Sequence, residues 1–460
     1  MPYKKTTTKK PMKKAPLRKL KKGEKEERIR PNVELLRGMK DILPVEQKYW
    51  QYVEDRVKGL VTSYRFNKID TPILENAKLF TMTAGKLTDV VEKEMYSFVD
   101  RGEETVSLRP EATASIARAY ISHGMHNLPQ PVKLWYWGPM FRYDRPQAGR
   151  YRQHHQCGFE IIGKDKPVVD AELVIASFAL CSSLGLEVEI QINSIGTLEC
   201  CRENYKEELV SYYRARRSAI CETCKARLTK NPLRLLDCKE EQCQAIKAEA
   251  PQIVDYLCND CRDHFMKVLE YLDEIDVPYT LNPRLVRGLD YYTRTVFEIY
   301  VKNNDLSTGG KKAQSAIGGG GRYDLLIEKL GGRPTPAAGF AIGIERAIAR
   351  IKDANIQVED NSRVNIFLAC LGEYAKRKSL GLFEDLRREG FRVATNFSKE
   401  KLRSQLELAD KLKVKFTLIL GQKEVLDETI IVRDMETGVQ EVVDYKKVIP
   451  DLRKKLGMVE

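Results

Sequence analysis

The 460-residue sequence has no apolar run long enough to cross a bilayer. Its longest low-charge apolar stretch, roughly 173–186, is broken by serines and falls short of the ~18 residues that a span requires. The N-terminus is rich in lysine, yet no apolar segment follows it, so the pattern of a secretory signal is missing. Without an export signal the eleven cysteines are expected to be reduced, and therefore ligating or buried rather than paired in disulfides. The glycine run 318–321 is followed by neither Lys-Ser nor Lys-Thr and lacks the dinucleotide spacing, which argues against both common phosphate-loop signatures. These absences lead to the expectation of a cytoplasmic chain with no membrane partner.

With 42% hydrophobic and 31% charged residues, the composition is that of a globular protein with length for about two to four domains. A formal charge of +13 suggests a nucleic-acid partner, but thirteen Lys/Arg against three Glu fall within residues 1–30, leaving +3 for the rest. Residues 1–32 are poor in aromatics and rich in Lys, Thr and Pro, a composition that cannot bury enough surface to fold, and are expected to be disordered. Such an arm suits either salt-sensitive attraction to RNA or DNA or simple solubilisation.

The chain is organised around residues 133–163, which are expected to form an antiparallel hairpin. Its first arm carries Leu134, Tyr136, Met140 and Phe141; its second ends in Phe159, Ile161 and Ile162. Between them lie Arg142, Arg145, Arg150 and Arg152, with Asp144 the one acid. Planar guanidinium groups suit bidentate binding of phosphates, although a solvated basic hairpin would show the same composition. Upstream, Tyr49, Trp50, Val53, Val57, Leu60 and Val61 recur at helical spacing and predict an amphipathic helix over 46–64. Residues 66–74 and 94–100 predict short strands, and 107–120 a strand running into a helix. At that helix start Glu111 and Thr113 place a carboxylate and a hydroxyl beside exposed backbone N–H groups, where they can grip an ammonium group or merely cap the helix.

Beyond the hairpin, a helix over 171–184 and a strand over 188–192 precede a charged, helical, cysteine-rich insertion at about 197–276. It contains Cys221-x-x-Cys224, Cys238, Cys243 and Cys258-x-x-Cys261. Two CxxC pairs facing each other would make a structural zinc site; buried free thiols are the alternative. The stretch LVRGLDYYTRTVFEIY (285–300) crowds Arg287, Asp290, Tyr291 and Tyr292 around a bend ahead of an apolar strand. The run IGGGGRYD (317–324) is expected to admit a ligand close to the backbone and to begin a helix near Tyr323. Residues 337–351 predict a strand entering a helix with Arg346 on its first turns. Finally, 364–456 alternates strand-like runs (365–369, 416–420, 429–432) with helices (376–389, 399–412), a βαβ pattern that implies a small doubly wound α/β domain.

RGMKDILP (37–44) with the helix after it resembles motif 1 of the class II aminoacyl-tRNA synthetases, FRYDRPQAGRYRQHHQCGFE (141–160) resembles motif 2, and GFAIGIERA (339–347) motif 3. RGLDYYTRTVFE (287–298), GGGGRYD (318–324) and RPEAT (109–113) are similar to the signatures of the histidyl-tRNA synthetase family. The resemblance covers nearly everything from Arg37 to Lys455. Ala112 stands where a glycine is common and Tyr143-Asp144 where a His-Glu pair is frequent; neither departure removes a catalytic group.

The resemblance implies an α+β fold, with a class II synthetase-like antiparallel sheet flanked by helices, a helical insertion and a C-terminal doubly wound α/β domain. It divides the chain into the basic tail (1–32), a catalytic domain (33–358) and an anticodon-binding domain (363–460). The implied reaction is ATP-dependent activation of L-histidine to histidyl-adenylate, then transfer to the 3' end of tRNA(His). Arg142 and Arg287 would flank the α-phosphate of ATP, Arg346 would bind the γ-phosphate, and Mg²⁺ would sit on the leaving pyrophosphate. Glu111, Ala112, Thr113 and Gln156 would surround the α-amino group of histidine. Glu160 and Tyr292 would bracket the imidazole, Tyr291 would line the same pocket, and Arg150 and Arg152 would face the tRNA acceptor end. Motif 1 implies a homodimer. The competing reading is a non-catalytic paralogue, the regulatory subunit of ATP phosphoribosyltransferase, which generally lacks the C-terminal domain and erodes the histidine signatures; this chain has both.

Overall fold

The computed structural model describes residues 34–83, 88, 90–144, 150–302, 316–360 and 363–458. The basic stretch 1–32 and Arg145 lie outside them. The fold is α+β. Its centre is an eight-stranded sheet in the order Asn67–Lys68, Val132–Phe141, Gln153–Ile162, Ala337–Gly343, Gly318–Arg322, Thr293–Val301, Val188–Ser194 and Tyr279–Leu281. The two edge pairings are parallel and the five between them antiparallel.

Alternation along the strands sends successive side chains to opposite faces, and each face has its own core. Phe159, Ile161, Phe297, Ile299, Phe340 and Ile342 pack on one side. They meet Val53 and Val57 of helix Gln47–Tyr64, Leu173 and Val174 of helix Pro167–Ser183, Val268 and Leu272 of helix Asn259–Asp273, and Ile348 of helix Ile344–Asp353. Removing each such side chain from water contributes roughly 1.5–3 kcal/mol. On the other face Leu134, Tyr136, Met140 and Val296 pack with Ile116 of helix Thr113–Ser122 and with Tyr205, Leu209 and Tyr213 of the insertion. That second layer is less uniformly apolar, and the functional cavity lies within it.

The hairpin forms in the expected register, with Tyr136 opposite Gly158 and Leu134 opposite Glu160. Residues 66–74 do not make one strand: Asn67–Lys68 joins the large sheet, while Leu74–Asn76 joins a small sheet with Thr105–Leu108 and Tyr96–Val99. The glycine run also differs from expectation. Gly318–Arg322 is an interior strand rather than a loop leading into a helix, and the next helix begins at Leu326. A Cβ on Gly320 would lie 2.1 Å from the Gly339 carbonyl oxygen, and one on Gly319 2.5 Å from that of Phe297. Close approach is thus required, but chiefly by the flanking strands.

The insertion runs from Leu198–Arg202 to helix Asn259–Asp273, between two strands that pair in parallel at the sheet edge. Toward the C-terminus a five-stranded sheet is ordered Val393–Thr395, Ile366–Cys370, Phe416–Leu420, Thr429–Asp434 and Gln440–Asp444. Ile366, Leu368 and Cys370 face helices Glu373–Arg388 and Val448–Leu456, whereas Phe367 and Ala369 face helix Leu402–Lys411. Both faces of this sheet are covered, as a doubly wound arrangement requires.

Candidate active site

The hairpin, the glycine strand, strand Ala337–Gly343 and the bend at 285–292 enclose a cavity of ≈ 1060 Å³. Its lining includes Glu111, Thr113, Arg142, Arg150, Gln156, Glu160, Arg287, Tyr291, Tyr292 and Arg346, which lie far apart in sequence. Two expected site residues do not line it. Ala112 is buried beneath, at the start of helix Thr113–Ser122, and Arg152 stacks on the Tyr143 ring, 3.7 Å from its centroid, with its aliphatic stem against Gly38.

One end of the cavity is built of buried carboxylates and phenols. Glu111 caps the helix: the backbone N–H groups of Thr113 and Ala114 donate to its two oxygens at 2.6 and 3.0 Å. Burial nevertheless pushes the Glu111 carboxyl above its usual range, against the pull of those bonds and of Arg142. The Thr113 hydroxyl donates to Glu160 at 2.7 Å, and the Tyr323 hydroxyl donates to the other Glu160 oxygen at 2.5 Å. Glu160 is pushed up to about 8 because burial outweighs these two donors, and Glu111 nearby adds to the rise. Burial likewise raises Tyr136, Tyr291, Tyr292 and Tyr323, which therefore remain neutral donors. Glycines make the space: a Cβ on Gly158 would enter the Tyr136 ring, and one on Gly339 would lie 1.7 Å from a Glu160 oxygen.

The other end concentrates positive charge. Arg142 donates from Nε to the Pro110 carbonyl at 2.8 Å, and Arg346 from Nη1 to the Ala316 carbonyl at 2.7 Å, so each is aimed by a neutral acceptor. Burial lowers the Arg346 pKa, and Arg150 and Arg142 lower it further. His154 falls to about 3 for the same reasons, burial first and then Arg142 and Arg346. Arg287 differs, because it forms an ion pair with Glu298, whose other oxygen accepts from the Tyr300 hydroxyl at 2.6 Å. Burial disfavours the Arg287 charge, but Glu298 outweighs it and the guanidinium is held firmly protonated. Its Nη1 also lies 2.8 Å from where a Cβ on Gly319 would be, so that glycine keeps Arg287 flat over the strand.

A buried polar cluster supports the carboxylate end. Arg322, wholly buried, pairs with Asp170 at 2.5 Å and Asp324 at 2.8 Å and donates to the Lys164 carbonyl, while His264 meets the second Asp170 oxygen at 2.8 Å. Such a buried charge is tolerated because each of its three nitrogens donates to a fixed acceptor. It holds the backbone beside Tyr323.

The Histidyl-tRNA synthetase sequence model matches residues 38–347, and the Anticodon binding domain model matches 365–455. The chain belongs to the histidyl-tRNA synthetase family. It is 44% identical over 423 residues to the histidine–tRNA ligase of Natranaerobius thermophilus, covering 92% of this chain and 99% of that one. It is equally identical over 414 residues to that of Desulforamulus reducens, covering 90% and 97%. The apo histidyl-tRNA synthetase of S. aureus superposes with a TM-score of 0.76 at 35% identity, covering 91% of this chain and 99% of that chain. A Bacillus halodurans structure described as an ATP phosphoribosyltransferase regulatory subunit/histidyl-tRNA synthetase reaches 0.61 at 20% identity, which shows a shared fold alone. As a family member this chain is an aminoacyl-tRNA synthetase.

The synthetase's cavity contains groups that the sequence reading missed. Tyr323, taken as the start of a helix, is a direct partner of Glu160; its position directly after the glycine strand and Arg322 was the available signal. Tyr136 and His154 were visible as alternate positions of the hairpin, on the face opposite Phe159 and Ile161. Glu298 followed Phe297 in the strand after Arg287 and was read only as part of that strand. Nor do the two CxxC pairs face each other: Cys221 and Cys224 gather with Cys238 and Cys243, whereas Cys258 and Cys261 gather with Cys200 and Cys201.

Proposed function

We propose that the chain carries out its family's reaction, histidine–tRNA ligation, with the two ends of the cavity dividing the work. The carboxylate end takes L-histidine. Glu111, Thr113 and Gln156 receive the α-amino group, Glu160 and Tyr292 address the two ring nitrogens, and Tyr291 and Tyr323 complete the wall. A side chain lacking the ring N–H would leave Glu160 buried without that partner, which is a strong basis for rejection. The observation that carries this reading is the buried Glu160, met by two hydroxyl donors and raised to about 8.

The arginine end takes ATP, with Arg142 and Arg287 on the α-phosphate and Arg346 on the γ-phosphate. An oxygen of the histidine carboxylate then attacks the α-phosphorus, forming histidyl-adenylate and expelling pyrophosphate, while the fixed guanidiniums stabilise charge that grows in the transition state. Glu298 and Glu345, both lining the cavity, are the oxygen donors that would hold an ATP-bound Mg²⁺, which would supply charge neutralisation on the pyrophosphate oxygens. Arg150 faces the acceptor end of tRNA(His), residues 363–460 read its anticodon, two chains associate through the motif 1 region, and the enzyme serves cytoplasmic translation. The regulatory alternative is disfavoured by the match to the Anticodon binding domain model. The test is ATP–pyrophosphate exchange with each amino acid in turn. Exchange is expected with histidine alone; exchange with another amino acid instead, or with none, overturns the reading.

A further inference from the structure

We propose that the insertion binds two zinc ions, each on four cysteines, and that the two sites are independent. The first set is Cys200, Cys201, Cys258 and Cys261; the second is Cys221, Cys224, Cys238 and Cys243. Within each set the four sulfurs lie within 4.8 Å of one another. Tetrahedral zinc with Zn–S bonds of about 2.3 Å places its sulfurs about 3.8 Å apart. In the second set Cys221 and Cys238 are 3.8 Å apart and Cys224 and Cys243 4.0 Å. In the first, Cys200 lies 3.0 Å from Cys201, 3.2 Å from Cys258 and 3.9 Å from Cys261, so that one small central ion reaches all four after minor adjustment.

Backbone geometry also favours sulfur as an acceptor. The N–H of Cys258 donates to Cys201 Sγ at 3.2 Å, that of Cys221 to Cys243 Sγ at 3.2 Å, and that of Cys224 to Cys221 Sγ at 3.4 Å. Each CxxC opens a helix, Asn259–Asp273 or Glu222–Lys230, so its thiolates sit at the positive end of the helix dipole. A core of free thiols needs neither this convergence nor these donors. Eight cysteines assembled as two fours, while Cys157, Cys181 and Cys370 are buried outside them, mark the clusters as built.

The placement of the sites assigns them different work. The first joins the segment just after strand Val188–Ser194 to the start of the helix that returns to its parallel neighbour, Tyr279–Leu281, so it closes the two ends of the insertion on the sheet. Cys201 adjoins Arg202, which is buried and donates to the Tyr292 carbonyl at 2.6 Å. The second site lies at the cavity wall, where Cys221 and Cys238 line the space together with Arg234, Lys239 and Lys247. It holds this basic wall toward whatever polyanion occupies the cavity mouth. The first site therefore secures the histidine pocket, and the second the approach of tRNA.

The two sites rest on the cysteines alone, and only the work assigned to them rests on the ligase reading, so an active enzyme free of metal overturns the sites and leaves that reading intact. Full-length protein, produced with added Zn²⁺ and purified under a phosphine reductant, should contain two zinc per chain by elemental analysis. Replacement by Co²⁺ should give the thiolate-to-cobalt charge-transfer and tetrahedral bands of two tetrathiolate sites. Cys258→Ser and Cys243→Ser should each lower the content from two to one, and the double variant should hold none. Cys258→Ser should raise the histidine KM for exchange, whereas Cys243→Ser should spare exchange and slow transfer to tRNA. Should the variants fold poorly, the wild-type zinc content and cobalt spectrum still decide. One zinc or none in the wild type, a cobalt spectrum without thiolate bands, disulfides that persist under reductant, or loss of both metals from one folded single variant each overturns the proposal.

Discussion

The two ends of the cavity differ in how their charge is balanced. At the carboxylate end the acids are buried, close together and met by hydroxyls and backbone N–H groups, and burial raises both above the usual carboxylate range, Glu160 to about 8. At the nucleotide end Arg142 and Arg346 are aimed by carbonyls and lower the proton affinity of His154. In the proposed assignment a polyanion would relieve repulsion there as it binds, whereas histidine would have to ionise Glu160. Arg287 stands between these regimes, held by Glu298, and is preorganised rather than recruited.

The comparison breaks most visibly at Arg287. Arg287→Ala should lower kcat for histidine-dependent pyrophosphate exchange by ~10²–10³ with little change in the KM for ATP or histidine, since it removes a donor used chiefly in the transition state. Lysine should rescue poorly because it lacks the planar fork. Near-normal exchange in the alanine variant would make Arg287 a structural partner of Glu298.

Glu160→Gln tests the other end. Losing a charged acceptor costs about 1.5–3 kcal/mol, so the histidine KM should rise roughly 10- to 100-fold with ATP binding unchanged. Because Glu160 sits near 8 in the empty pocket and a bound donor favours its charged form, histidine binding near pH 7 should release protons, and the variant should lose that release. Calorimetry in buffers of different ionisation enthalpy measures it directly. The sign for stability follows. A carboxyl raised from 4.5 to about 8 contributes stability below 4.5 that is lost as pH rises to about 8. The melting temperature of ligand-free protein should show this decline, and the glutamine variant should flatten it.

A smaller effect is expected from Gly319→Ala, whose new methyl would meet the Phe297 carbonyl and Arg287. Overpacking of this kind costs about 1–3 kcal/mol, and exchange should fall further than stability alone explains because Arg287 is displaced. A thermal melt paired with exchange separates the two. Least affected should be protein lacking residues 1–30: exchange should be unchanged, and tRNA binding should weaken only at low salt.

Much of this was legible in sequence where periodicity and chemistry agreed. The hairpin announced itself by alternation and helix Gln47–Tyr64 by its apolar stripe, and the RPEAT corner, motif 2 and RGLDYY supplied most of the expected site residues that line the cavity. The failures arose where tertiary packing overrode local preference. Four glycines carry no strand propensity, yet the space between Phe297 and Phe340 admits only a bare backbone. Strands Val393–Thr395 and Gln440–Asp444 are short edges whose pairing, rather than composition, defines them. The cysteine grouping depended on Cys200 and Cys201, which no CxxC pattern advertises.

The glycines at 158, 319, 320 and 339 also bear on how readily the enzyme could change its amino acid. Gly319 and Gly339 line the pocket as bare main chain, Gly158 backs the Tyr136 ring, and any side chain added at the four positions strikes a neighbour within 3 Å. Single substitutions there cannot trim or enlarge the pocket by degrees, because every one of them enters a space already filled. A route to a different substrate would have to move a strand, which disturbs the core on the opposite face at the same step. Substrate choice is thereby tied to the integrity of the sheet, and gradual drift toward a neighbouring amino acid is closed off from this side.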